Sequence, residues 1–278
     1  MTALLISLRW GFLLVLVLLL GPVVAAAGGW ARVDGDWRTA SRESTGIAPD
    51  PAVTTEAVVQ VYGARAFAWR GAFAVHTWVA AKRANAPSFT TYEVIGWRYF
   101  HGGSPVTVRQ GPPDRKWFGS APEIYRDLRG PVIPRKLAEI QPAVAASPSH
   151  ASYPPGPEAE RMIGEVETAV AAYPFKDSYR TWPGPNSNTF TAFIARSVPG
   201  LGLDLPPTAI GKDYLGLHSF AAAAPSGTGY QLSLLGVLGI TVGLEEGLEF
   251  NVLGLSFGID PLGIALRLPG IGHVGPKS

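Results

Sequence analysis

One stretch constrains this chain more than any other. Trp10 to Ala27 (WGFLLVLVLLLGPVVAAA) is an almost unbroken apolar run, and Arg9 is the only charged side chain before it. About 18 residues are just enough for a helix to cross the hydrocarbon of a bilayer. The same layout, with a basic start, a leucine-rich middle and Ala25-Ala26-Ala27 at its end, also suits a secretory signal peptide. Under the positive-inside rule Arg9 and the terminal amine stay in the cytoplasm, so everything after Gly28 lies across the membrane. We favour a retained anchor, although Gly21-Pro22 weakens a continuous helix. Hydrophobicity on every side argues against a core helix with one polar face.

Beyond this run, a chain of 278 residues has room for one sizeable domain plus accessories. Its 33 Gly and 25 Pro imply many turns and short strands. A formal charge of +2 without a Lys/Arg cluster excludes nucleic acid as a partner. With no cysteine, disulfides, thiolate metal sites and a cysteine nucleophile are excluded as well.

The expected organisation is a signal anchor or signal peptide over 1–28, then a juxtamembrane connector over 29–53 whose Trp30 and Trp37 are candidate interfacial anchors. An α+β domain occupies 54–225, and a Gly-rich apolar β-hairpin and tail 226–278. Runs rich in branched and aromatic residues predict strands at Ala57–Tyr62, Ala72–Ala80, Thr91–Tyr99 and Pro105–Arg109, joined as an antiparallel meander. The proline-rich stretch 131–157 reads as an insertion. Met162, Ile163, Val166, Val170 and Tyr173 recur at helical spacing over Glu158–Tyr173. A second helix opens at Pro185-Asn186-Ser187-Asn188, with Phe190, Phe193, Ile194 and Val198 as its apolar stripe. Leu238–Leu244 and Leu248–Ile259 alternate with period two. Their apolar parity switches between Val252 and Leu253, which predicts a β-bulge there. Such a hairpin must dock its apolar face, either on the protein's own sheet or on lipid.

Three residues form the candidate catalytic constellation. Ser187 lies at a helix N-terminus, where free N–H groups and the helix dipole favour an oxyanion. His76, mid-strand beside Trp78, has the chemistry to take the serine proton, and Glu93 on the next strand to orient the imidazole. Trp78, Trp97 and Trp117, with Arg115 in the loop after the fourth strand, are candidate ligand-binding side chains, as are Asn186 and Asn188 beside the serine.

A histidine on an early strand, with an Asn–nucleophile–x–x–Phe motif opening a helix much later, resembles the circularly permuted papain-like superfamily, which includes the lecithin–retinol acyltransferase-like proteins and related bacterial envelope hydrolases. In Asn186-Ser187-Asn188-Thr189-Phe190, Ser187 stands where that motif has cysteine, and His76 takes the histidine role. The segments VYGARAFAWRGAFAVHTW, EVIGW, WPGPNSNTF and LPPTAIGKDYL also resemble an uncharacterised membrane-anchored bacterial family, a domain of unknown function. The resemblance implies an antiparallel sheet packed with two or more helices, permuted papain-like; the apolar run and the positive-inside rule make the inner membrane, with the main domain facing the periplasm, its expected place. A serine hydroxyl is not ionised at neutral pH and depends wholly on a general base.

The five histidines lack His-x-x-x-His spacing, so no metal site is expected. No glycine-rich loop sits between a strand and a helix as a dinucleotide requires, and no cofactor is expected. The one Gly-x-Ser-x-Gly match, Gly254-Leu255-Ser256-Phe257-Gly258, falls inside a period-two stretch and not between a strand and a helix, which argues against an α/β-hydrolase. Three functional readings fit these features. One is a non-catalytic module binding an envelope lipid, glycan or peptide. The second is a serine-dependent hydrolase or acyltransferase acting on envelope amides or esters. The third is a structural envelope protein whose apolar C-terminal hairpin meets the membrane or a partner.

Overall fold

The computed structural model describes residues 2–31, 35–130 and 158–276. The proline-rich stretch 131–157 lies outside the described residues. The apolar run begins earlier than its sequence pattern predicts, as helix α1, Thr2–Ala27, which carries Pro22 inside it. Leu5–Ala27 is long and apolar enough to cross a membrane. Side chains Leu5–Leu14 are exposed, whereas Leu18, Pro22 and Ala25 are buried at helical spacing. This second half packs on a single 3-10 turn, Ala68–Ala72, and near the chain's end on Pro269-Gly270. The approach is backbone to backbone: a Cβ on Gly21 would lie 1.9 Å from the Pro269 carbonyl oxygen, and one on Gly270 (φ +70°) 2.5 Å from the Pro22 nitrogen.

The body is α+β, with two antiparallel sheets. The first comprises β1 (Val58–Arg65), β2 (Val75–Lys82), β3 (Thr90–Val94), β4 (Val106–Gln110) and β5 (Glu123–Arg129), in the order β4-β3-β2-β1-β5. The meander β1 to β4 follows from the run of branched residues, whereas β5 (EIYRDLR) carries four charges and gave no apolar signal. Trp97 is not on the third strand but in a short helix, α2 (Gly96–Phe100). Gly96 allows this break, because its missing Cβ leaves room for the Tyr179 ring.

Strand alternation gives this sheet two different faces. Val59, Val61, Val75, Val79, Tyr92 and Val94 form the main core with α3 (Glu158–Ala172) and α4 (Ser187–Ser197). Tyr62, Trp78, Ala80 and Phe89 form a smaller cluster on the opposite face, with Trp117 and Ile124 packed against it. The connector is tied to that side through Asp114, whose carboxylate accepts hydrogen bonds from Ser44 Oγ (2.7 Å) and Ile47 N (2.8 Å).

The C-terminal region is not a lone hairpin. It is a seven-stranded sheet of β6 (Ala221–Ala223), β7 (Gly229–Leu234), β8 (Leu238–Gly243), β9 (Gly247–Val252), β10 (Leu255–Asp260), β11 (Ala265–Leu268) and β12 (Gly272–Val274), each paired with its chain neighbour. The parity switch at Val252/Leu253 is a two-residue turn rather than a bulge. Val252 pairs with Leu255, and Leu253 and Gly254 both have positive φ (56° and 85°), the geometry of a type I′ hairpin.

This second sheet is inside out for a protein in water. One register row reads Gln231, Thr241, Glu249, Gly258, Arg267, and this polar face is the buried one. Arg267 donates both Nη groups to Asp204 (2.6 and 2.7 Å) and Nε to Glu249 (2.8 Å). Glu249 also pairs with Lys212. Asp213 accepts from Gln231 (2.6 Å) and Asn251 (2.9 Å). Buried charges are tolerated here because each is paired and hydrogen-bonded. Burial pushes the Glu249 carboxyl upward, but the Lys212 and Arg267 charges outweigh it and hold the group below its ordinary value. The opposite face holds Leu232, Ile240, Phe250 and Phe257 in one row and Val242, Leu248, Ile259, Leu266 and Val274 in the next. Leu232, Val242, Ile259 and Leu266 are each about half exposed.

Candidate functional site

Helix α4 starts where the motif predicts. Asn186 is its N-cap, accepting from Asn188 N (2.9 Å) and Thr189 N (3.2 Å), while Thr189 Oγ1 accepts from Asn186 N (3.1 Å). The rest of the Asn186 amide is also occupied: its Nδ2 donates to the Thr181 and Ile210 carbonyls. Asn188 is filled in the same way. Its Nδ2 donates to Val75 O (3.0 Å) and Ile210 O (2.8 Å), and its Oδ1 accepts from Thr77 Oγ1 (2.9 Å). Asn188 therefore ties α4 to β2, and both asparagines tie it to the Ile210 carbonyl in the Thr208–Gly211 loop. Ser187 is the first residue of the helix, 7 % exposed, and its hydroxyl makes no hydrogen bond among the described residues.

His76 and Glu93 do come together. The Nε2 atom of His76 lies 3.3 Å from Glu93 Oε2, and Arg109 Nε donates to Glu93 Oε1 at 3.0 Å. Burial raises the Glu93 carboxyl, but the His76 hydrogen bond and charge, with the Arg109 guanidinium, bring it below the ordinary carboxylate range. The imidazole stacks on Trp117 at 3.5 Å between ring centroids and 9° between planes, with Trp78 tilted 5.7 Å away. The Trp78 ring is buried against Tyr62, and its Nε1 donates to Pro113 O (2.8 Å).

Among the described residues no hydrogen bond joins Ser187 to this pair. β2 turns Thr77 toward α4, where its hydroxyl lies 2.9 Å from both Asn188 Oδ1 and Thr191 Oγ1. By alternation His76 points to the other face, under Trp117.

The candidate ligand aromatics also separate. Trp78 is core, Trp117 covers His76, and Trp97 stands 55 % exposed on α2, edge-on to the His101 ring. Arg115 is exposed and donates Nε to Arg42 O (2.8 Å), clasping the connector. Two shallow concavities, of about 370 Å³ along α3 beside Arg161 and Thr168 and about 350 Å³ among Arg83, Tyr92 and Glu167, include neither His76 nor Ser187. No cluster of three or more metal-ligating side chains occurs among the described residues.

Two features went unread in the sequence. One is the buried ionic network of Asp204, Lys212, Asp213, Glu249 and Arg267; the polar residues alternating with Leu248, Phe250 and Val252 were its signal. The other is Trp69, exposed on the 3-10 turn with the Arg70 guanidinium 5.4 Å from its ring centroid.

No curated protein and no solved structure matches the chain. The model of a family described as a protein of unknown function, DUF3750, matches residues 56–214. That span is more than half of the chain and takes in the first sheet, α3, α4 and the segment carrying Asp204, Lys212 and Asp213, ending before β6. The chain belongs to the DUF3750 family.

Proposed function

We propose that this is a membrane-anchored envelope protein whose body is a degenerate papain-like module that binds an envelope ligand without turning it over. One observation carries the reading: His76 is engaged by Glu93 and covered by the Trp117 ring, and among the described residues no hydrogen bond joins the Ser187 hydroxyl to either His76 or Glu93. The capped helix bearing Asn-Ser-x-x-Phe against an antiparallel sheet supports the papain-like frame, and the loss of the thiol supports its degeneracy. Retention of α1 is supported by its buried stripe, since Leu18, Pro22 and Ala25 pack as part of the body. The positive-inside rule puts that body on the periplasmic side of the inner membrane.

The surface best suited to a lipid, glycan or peptide is the exposed rim of α2, where Trp97 stands edge-on to His101 and Phe100 meets Tyr179. Aromatic side chains standing free on a short helix offer contact area at low entropic cost. Full-length protein in nanodiscs, titrated with phospholipid, muropeptide or peptide while tryptophan fluorescence is followed, tests this. Ser187→Ala is expected to bind and to complement a deletion strain like the wild type, and Trp97→Ala to lose binding. A well-folded Ser187→Ala protein that fails to complement would return the hydrolase reading.

A further inference from the structure

We propose that the apolar face of the seven-stranded sheet lies in the hydrocarbon of the body-side leaflet, next to α1, so that the protein is seated in the membrane as well as tethered to it. This rests on the anchor reading above and extends it.

Helix length is the first support. A hydrocarbon core of about 30 Å needs about 20 helical residues. Even counted from its start at Thr2, the part of α1 that precedes the docked half rises only about 20 Å to Leu14, two-thirds of that thickness. The docked half must therefore enter the bilayer too, and its outward side is made for that: Val17, Leu20, Val23 and Val24 are all exposed. Whatever packs on this half goes in with it. Gly21 and Pro22 meet Pro269-Gly270, the β11–β12 turn, and α1 also touches β10. Gly21 lies about 9 Å below the helix end at Ala27, so that turn sits well inside the leaflet.

The polarity of the sheet is the second. Its charges and amides face the body in the Arg267–Glu249–Lys212 network, while its outer rows carry no charged side chain from Leu232 across to Val274. A soluble monomer seldom exposes a contiguous apolar patch of this extent. The interface level is the third. Trp30 comes directly after α1, and Trp69 projects from the turn on which α1 packs; both are exposed, as interfacial tryptophans are.

The chain has no cysteine, so single-cysteine variants take a nitroxide at one place. Full-length Leu14→Cys, Phe250→Cys, Ile259→Cys and Gln110→Cys are reconstituted in phosphatidylethanolamine–phosphatidylglycerol vesicles. Their spin relaxation by oxygen is compared with that by a water-soluble nickel chelate. Labels at Phe250 and Ile259 should favour oxygen, with the same sign as Leu14, and Gln110 should show the opposite sign. Leu232→Cys and Val242→Cys report the same face if either of the first pair fails to fold. Nickel access at the sheet with Leu14 still in lipid overturns this inference and leaves the anchor standing. Dipolar broadening between sheet labels also overturns it, in favour of a second copy covering the face. Nickel access at Leu14 as well overturns both.

Discussion

Glu93 is the residue on which the smaller face of the first sheet turns. It is 3 % exposed, and its two oxygens face His76 and Arg109. Glu93→Gln keeps the shape but leaves Arg109 without its carboxylate, and the expected loss is about 3 kcal/mol in urea unfolding. The sign of the pH effect comes from the direction of the shift. Glu93 and Asp114 both sit below the ordinary carboxylate range: burial raises each, and their partners (His76 and Arg109 for Glu93; Ser44 and the Ala48 and Ile47 N–H groups for Asp114) outweigh it. A carboxylate lowered in the fold stabilises it fully above the unfolded value of about 4, and that contribution is lost as pH falls through the folded value. The urea midpoint of the wild type should drop steeply below about pH 4, and that of Glu93→Gln less steeply over the same window.

At the scale of elements, the cap of α4 and the underside of the second sheet are the places where one change does most. Asn186→Ala removes the N-cap and two further hydrogen bonds to the Thr181 and Ile210 carbonyls, so a loss at the upper end of the capping range, about 2 kcal/mol, is expected by thermal unfolding. Arg267→Met leaves Asp204 and Glu249 facing a thioether, and about 3–5 kcal/mol should go, with the second sheet the first part to exchange amide hydrogens. How far these elements are legible in the sequence depends on which face carries the pattern. The meander β1–β4 and helices α3 and α4 bury apolar stripes, and their periodicity shows them; the Asn186 cap is visible in four letters. β5 splits its apolar side chains between the two faces, Ile124 on one and Tyr125 and Leu128 on the other, among four charges, so no stripe in EIYRDLR announces it. The second sheet inverts the usual rule, and reading only its leucines finds two strands out of seven. The same limit applied to the candidate site. Alternation brings His76 and Glu93 to one side, a relation the sequence carries, whereas the side on which α4 lands is decided by Thr77 and Asn188, 111 positions apart.

For the molecule as a whole, the anchor reading predicts a chain that keeps its first 28 residues. Intact mass of protein purified from membranes should include them, and alkaline carbonate should not release it. Loss of the segment with release of the body would identify a cleaved signal instead. The buried underside of the second sheet carries one more consequence, for the order in which the protein is made. Domains generally condense from the N-terminal side as the chain emerges. Asp204 and Lys212 are synthesised before the strands that bring Arg267 and Glu249 to them, and Asp213, paired with Lys212, before its Gln231 and Asn251 donors; β7 to β12 arrive as ribbons with no apolar core of their own to collapse upon. The finished body is thus the mould on which its last sixty or so residues are cast, and a ribosome stalled near Leu217 would leave a template of unmet charge beside the lipid.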